Sequence, residues 1–218
     1  MATGSATLHG SVPERCAAAL LLIDVINDLE FEGGEQLAEN ARAMAHSLAR
    51  LKRRATAAGI SSIYVNDNFG RWSSDFRRLI DHCLNDGVRG EEVARLLAPD
   101  EADYFVLKPK HSGFYSTCLE LVLKHLGASS LILAGLTTDI CVLFTGNDAY
   151  MRDYRIYVPQ DCSACVDMRD HQYALGFMQR VLKADIRASN QIDLDALIRE
   201  QAGGVQLPPG HAKATENS

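Results

Sequence analysis

The chain has 218 residues, 47% of them hydrophobic and 23% charged, enough to bury one substantial core. Its formal charge of −6 comes with no dense basic stretch, and Lys52-Arg53-Arg54 reads as the solvated face of a helix, so nucleic acid has no electrostatic footing. No apolar run reaches the roughly 18 residues of a membrane span, which speaks against a membrane partner. The first residues lack the basic-then-apolar order of a secretory signal. Six scattered cysteines fit reduced thiols, so a cytoplasmic location is expected.

Residues 1–15 are small and mostly polar and are expected to be a flexible tail. Strand-like and helix-like stretches then alternate. Ala17–Val25 is a nearly continuous apolar run of strand length, the mark of a strand buried on both faces. From Glu35 to Ala58, Leu37, Ala41, Met44, Leu48 and Leu51 recur at helical steps, and Gly59 ends the helix. Ser61–Asn66 is the second strand. Trp72 to Asp86 reads as irregular to helical. Tyr104–Lys108 is the third strand, stopped by Pro109. Ser116–His125 is a short helix closed by Gly127. Ser130–Gly135 is the fourth strand, Asp139–Arg152 a helix and Arg155–Pro159 the fifth strand. Asp170–Leu182 places Ala174, Phe177, Met178 and Val181 on one helical face. Ala184–Ala188 is the sixth strand, Asp193–Glu200 the last helix, and 203–218 a second flexible tail. The alternation predicts one α/β domain over 16–202, a three-layer α/β/α sandwich around a six-stranded parallel sheet. Right-handed crossovers then bring every strand's C-terminal end to one edge, where ligands of open α/β sheets bind.

Asp24 ends the first strand, Lys108 the third, and Cys141 opens the helix after the fourth. Each alone has a plain structural reading: a turn former, a solvated strand end, a small core residue. Three such groups on one edge point to chemistry. A thiol attacking a carbonyl must lose its proton. A carboxylate can take that proton and later deliver it to the leaving nitrogen. An ammonium, like a helix N-terminus, favours the thiolate. The N–H groups of Thr137 and Cys141, at the strand-to-helix turn, are the expected oxyanion donors, each worth about 3 kcal/mol. Lys110 competes with Lys108 on position alone. Cys162 and Cys165 form a C-x-x-C that lacks a second ligand pair or a following helix start, and they read as packing residues.

Four segments make the sequence recognisable. They are Leu21-Leu22-Ile23-Asp24-Val25-Ile26-Asn27-Asp28, Lys108-Pro109-Lys110-His111-Ser112-Gly113-Phe114, Gly135-Leu136-Thr137-Thr138-Asp139-Ile140-Cys141-Val142, and Asp148-Ala149 with Val158-Pro159-Gln160-Asp161. Over about residues 16–190 the chain resembles the isochorismatase-like cysteine hydrolase superfamily. The resemblance implies an Asp24–Lys108–Cys141 triad, and the Lys-x3-Ser-x-Phe spacing selects Lys108 over Lys110. It also implies a cis peptide at Leu136–Thr137 and homodimers or homotetramers.

Within that family, isochorismatases cleave a vinyl ether by acid catalysis from the aspartate and need no thiol. The presence of Cys141 favours C–N hydrolysis. Nicotinamidases carry an aspartate and histidines after the second strand. Here that place reads Val65-Asn66-Asp67-Asn68-Phe69-Gly70, with no histidine, so no metal and no other cofactor is expected. The small-molecule substrate is expected to meet Asn68, Arg71, Trp72 and Phe114, with Phe31 and Tyr115 as further apolar walls. Arg71 offers a planar donor fork to a carboxylate or carbonyl. The readings in order are an amide, ureido or lactam hydrolase working through a Cys141 thioester, an isochorismatase-type ether hydrolase using Asp24, and a non-enzymatic redox or interaction protein.

Overall fold

Six consecutive apolar residues with no polar alternation need burial on both faces, and Ala18–Ile23 find it as β1, in the interior of a parallel sheet. The computed structural model describes residues 16–68 and 75–202. Both expected tails, together with Arg71 and Trp72, lie outside the described residues. Along β1 the side chains alternate. Ala18, Leu20 and Leu22 enter one core cluster, and Ala19, Leu21 and Ile23 enter the other.

The other elements follow in βα order. They are α1 (Gly34–Ala57), β2 (Ser61–Asp67), α2 (Phe76–Asn85), α3 (Glu91–Leu96), β3 (Tyr104–Lys108), α4 (Leu119–Leu126) and β4 (Ser130–Leu136). After β4 come a wide π turn over Thr138–Val142, α5 (Leu143–Tyr150), β5 (Arg155–Tyr157), β6 (Ser163–Ala164), α6 (Met168–Val181) and α7 (Leu194–Ala202). The strands lie in the order β3-β2-β1-β4-β5, with β6 also paired to β4 and every pairing parallel. Leu37, Ala41, Met44, Leu48 and Leu51 of α1 pack on one face, joined by α2, α3 and α7. Leu119 and Leu123 of α4, Ala149 of α5 and Ala174 and Met178 of α6 pack on the other. The three layers predicted from the sequence are present. Gly59 ends α1 with φ 76°, the left-handed conformation that suits glycine.

Three local readings change. The fifth strand stops at Tyr157, two residues before Pro159, which has no N–H to donate to a ladder. The sixth strand is Ser163–Ala164, which covers the upper end of β4 through Gly135↔Ser163 and Leu136↔Ala164. Residues 184–188 contribute only a single bridge, Tyr157↔Asp185, because the three-residue β5 offers little edge to pair with. The helix expected from Asp139 begins instead with the π turn, where the Val142 N–H donates to the Thr137 carbonyl five residues back at 3.1 Å.

β1 lies between β2 and β4, and the connections to these neighbours pass on opposite faces, through α1 and α4. The C-terminal ends of β1 and β4 therefore border the crevice of a switch point. Gly135 sits there with φ 120°, and a Cβ on it would stand 2.0 Å from the Ile23 carbonyl oxygen. Only glycine lets the two strands come this close beside Asp24.

Candidate active site

Asp24 leaves β1 with φ 51°, a left-handed conformation that aspartate enters more readily than most residues. Its N–H donates to the Val65 carbonyl at 3.0 Å, so the turn stays attached to β2. Its carboxylate is held on both oxygens. Oδ1 accepts the Asp67 N–H at 2.7 Å, and Oδ2 lies 2.8 Å from Lys108 Nζ. Lys108, the last residue of β3, is fully buried. Its ammonium also stands 3.5 Å from Cys141 Sγ and 3.5 Å from Asp67 Oδ2. Strand ends far apart in sequence thus bring together a carboxylate, an ammonium and a half-buried thiol.

Burial raises Asp24 above the usual carboxylate range, against the pull of Lys108, of the Cys141 hydrogen bond and of the Asp67 N–H. Burial would pull Lys108 down, but Asp24, Cys141 and Asp67 together lift it, so the ammonium stays charged. Burial first and Asp24 second push the Cys141 thiol up to about 12, and Lys108 only partly offsets them. The resting sulfur therefore keeps its proton. The sequence suggested a thiolate favoured by the ammonium and the helix start, but the neighbouring carboxylate and low solvent access outweigh both. A protonated thiol and a carboxylate raised by burial, both facing Lys108, are the groups a proton transfer needs.

The loop after Lys108 is locked onto the helix that follows Cys141. Ser112 Oγ donates to Asp148 Oδ2 at 2.5 Å. The Gly113 N–H donates to Thr145 Oγ1 at 3.0 Å, and the Thr145 hydroxyl donates to the Cys141 carbonyl at 2.7 Å. Arg152 closes the network on Asp148 at 2.9 Å and Glu120 at 3.2 Å. These bonds fix lysine and thiol in one frame. Ser112 and Asp148 stood in the recognised motifs without a role. Thr145 carried no signal, because its part depends on the loop folding back.

The peptide Leu136–Thr137 is cis, as the resemblance implied, and brings Thr137 to the start of the π turn. Asn68 is buried at the end of β2, where its N–H donates to the Lys108 carbonyl at 3.0 Å. Phe114 is a core residue, 6% exposed, packed at 6.0 Å from the Tyr154 ring centroid with the Arg152 guanidinium 4.7 Å from its own, and it supports the loop after Lys108. Phe31 and Tyr115 are exposed. Sequence reasoning missed Asp67, the second carboxylate on Lys108. Its signal was the register, since Asp67 and Lys108 are Cα partners at the ends of adjacent strands.

Comparisons with known proteins place the chain in a family. The family model for the isochorismatase domain matches residues 18–188. The uncharacterized isochorismatase family protein YaaI of Bacillus subtilis strain 168 is 41% identical over 174 residues, covering 80% of this chain and 95% of that protein. The ureidoacrylate amidohydrolase RutB of Yersinia enterocolitica is 26% identical, covering 75% of this chain and 79% of its own length. The crystal structure of N-carbamoylsarcosine amidase from Thermoplasma acidophilum superposes with a TM-score of 0.61 at 28% identity, over 81% of this chain and 98% of that one.

Proposed function

This chain belongs to the isochorismatase family of hydrolases, and on that premise we propose that it cleaves a C–N bond of a small amide, ureido or lactam compound through a thioester on Cys141. The observation that carries the reading is Lys108 Nζ standing 2.8 Å from Asp24 and 3.5 Å from Cys141 Sγ in a buried site. Asp24 takes the thiol proton as sulfur attacks the carbonyl carbon. Lys108 holds the negative charge shared by the carboxylate and the forming C–S bond. The oxyanion is assigned to the backbone N–H groups of Thr137 and Cys141. As the C–N bond breaks, Asp24 passes its proton to the leaving nitrogen and the thioester remains. Water then attacks the thioester, again giving a proton to Asp24, and that proton returns to the departing sulfur.

The amidases among the relatives support this class. Ureidoacrylate amidohydrolase and N-carbamoylsarcosine amidase both carry in their names a carbonyl flanked by nitrogen. Ureido compounds therefore head the list of substrates to test. The experiment is a screen for released ammonia and amine over ureides, amides and lactams, with isochorismate included, on wild type beside Cys141→Ala. The expected result is turnover of a C–N substrate that falls at least ~10³-fold in the variant. Isochorismate turnover surviving in Cys141→Ala would replace this reading with acid catalysis from Asp24 alone.

A further inference from the structure

The π turn that carries Cys141 is held from outside by side chains that the proposed chemistry does not use. Thr138 Oγ1 lies 2.8 Å from His171 Nδ1, and both residues are buried. Cys165 Sγ donates to Asp139 Oδ1 at 3.0 Å. Both tethers come from the segment that runs from β6 into α6. That segment is itself pinned to α1, where Asn40 Nδ2 donates to the Cys165 and Val166 carbonyls at 2.8 and 3.1 Å. The turn is thus tied to two long helices, and the second cysteine of the C-x-x-C serves as a hydrogen-bond donor.

The imidazole is set for one task. Burial holds His171 below the usual histidine range, although Asp139 and a bond to the Gln160 carbonyl pull the other way. A neutral ring has one donor and one acceptor. Nδ1 meets the Thr138 hydroxyl at 2.8 Å as acceptor or as donor, and in either tautomer the ring holds that side chain. Thr138 lies between Thr137, an assigned oxyanion donor, and the residues that lead to Cys141. A shift of the turn by about 1 Å would be felt ~100-fold in rate.

We propose that His171 is a positioning residue for the hydrolysis, fixing through Thr138 the turn that aims Cys141 at Asp24 and Lys108. This inference rests on the reading of Cys141 as the nucleophile. The first measurement needs no substrate: alkylation of Cys141 by iodoacetamide, read residue by residue by mass spectrometry. Thr138→Val keeps the shape and removes the hydroxyl, while Thr138→Ser keeps the hydroxyl. The valine variant is expected to change the Cys141 rate at least about fivefold and the serine variant to stay near wild type, because thiol reactivity follows its contacts with Asp24 and Lys108. On the amide found in the screen, the valine variant should lose about 10- to 100-fold in kcat with KM within about twofold, and serine should restore it.

Wild-type alkylation and kcat in Thr138→Val would overturn the proposal, as would equal impairment in both variants. If the valine variant does not fold, His171→Asn beside His171→Leu makes the same comparison. The asparagine oxygen can accept the Thr138 hydroxyl, so asparagine should retain the higher kcat, and equal values would overturn the inference. Cys141→Ala in the same assay separates the two claims. Turnover surviving there removes the nucleophile reading itself. Loss there with normal Thr138→Val removes only the role of His171.

Discussion

Among the described residues two lysines are buried, Lys52 and Lys108, and each lies against two aspartates. Lys52, on α1, reaches Asp100 at 2.8 Å, Asp103 at 2.7 Å and the Ala98 carbonyl at 3.4 Å, with the Tyr64 ring centroid 5.5 Å away. Oxygen acceptors face its ammonium on three sides, which closes a clamp between α1 and the chain leading to β3. Lys108 reaches Asp24 at 2.8 Å and Asp67 at 3.5 Å, and its third neighbour is sulfur at 3.5 Å. A thiol is a weak acceptor. Part of this ammonium's field is therefore directed at an atom that gains full charge only when its proton leaves. Two sites with the same charge pattern differ in whether the last neighbour can change its charge.

The largest test of this contrast is Lys108→Met against Lys52→Met. The first is expected to lower kcat/KM at least ~10³-fold. The second should leave kcat within about twofold and cost about 3 kcal/mol of stability, since it strands the buried Asp103 carboxylate. Denaturant melts and steady-state rates check both, and a Lys108→Met enzyme with normal kcat would erase the distinction.

A smaller effect lies in the pH response. With the thiol pushed up to about 12, alkylation of Cys141 should climb with pH through neutrality without reaching a plateau. Asp24→Asn removes a raising influence and should move that curve to lower pH. Lys108→Met removes a lowering one and should move it higher. Turnover should fall on the acid side as Asp24 takes up a proton, since a protonated carboxyl cannot accept another from sulfur. That limb should lie above the usual carboxylate range, because burial raises Asp24.

The smallest expected difference is within the Lys52 clamp. The Asp103 side chain is 9% exposed and that of Asp100 is 74% exposed. Asp103→Asn should cost about 2 kcal/mol, and Asp100→Asn no more than about 0.5 kcal/mol in thermal or urea unfolding.

The central strands and the placing of Asp24, Lys108 and Cys141 on one sheet edge were legible in the sequence because they depend on local signals. An unbroken apolar run needs two covered faces, and a charged residue at its end has to sit at the sheet edge. β5 and β6 were misread because both are short, and a two-residue strand has no period to detect. α3, with six residues, was missed for the same reason. The bonds Ser112–Asp148, Gly113–Thr145 and Thr138–His171 join residues far apart in sequence, and no spacing rule predicts them. The resting protonation of Cys141 is a balance of burial and two opposed charges, and only the burial of the fold settles which wins.

The order of strands has one more consequence. β1, which delivers Asp24, pairs along its whole length with β4, which leads to Cys141, and the two come from opposite halves of the chain. During synthesis the carboxylate and the lysine leave the ribosome before the thiol, and none of them has its partner geometry until β4 docks beside β1. Turnover is therefore a reporter of the finished sheet. In a refolding experiment the return of activity should keep pace with the last central pairing, and an N-terminal half made alone should show none, however well its own helices form.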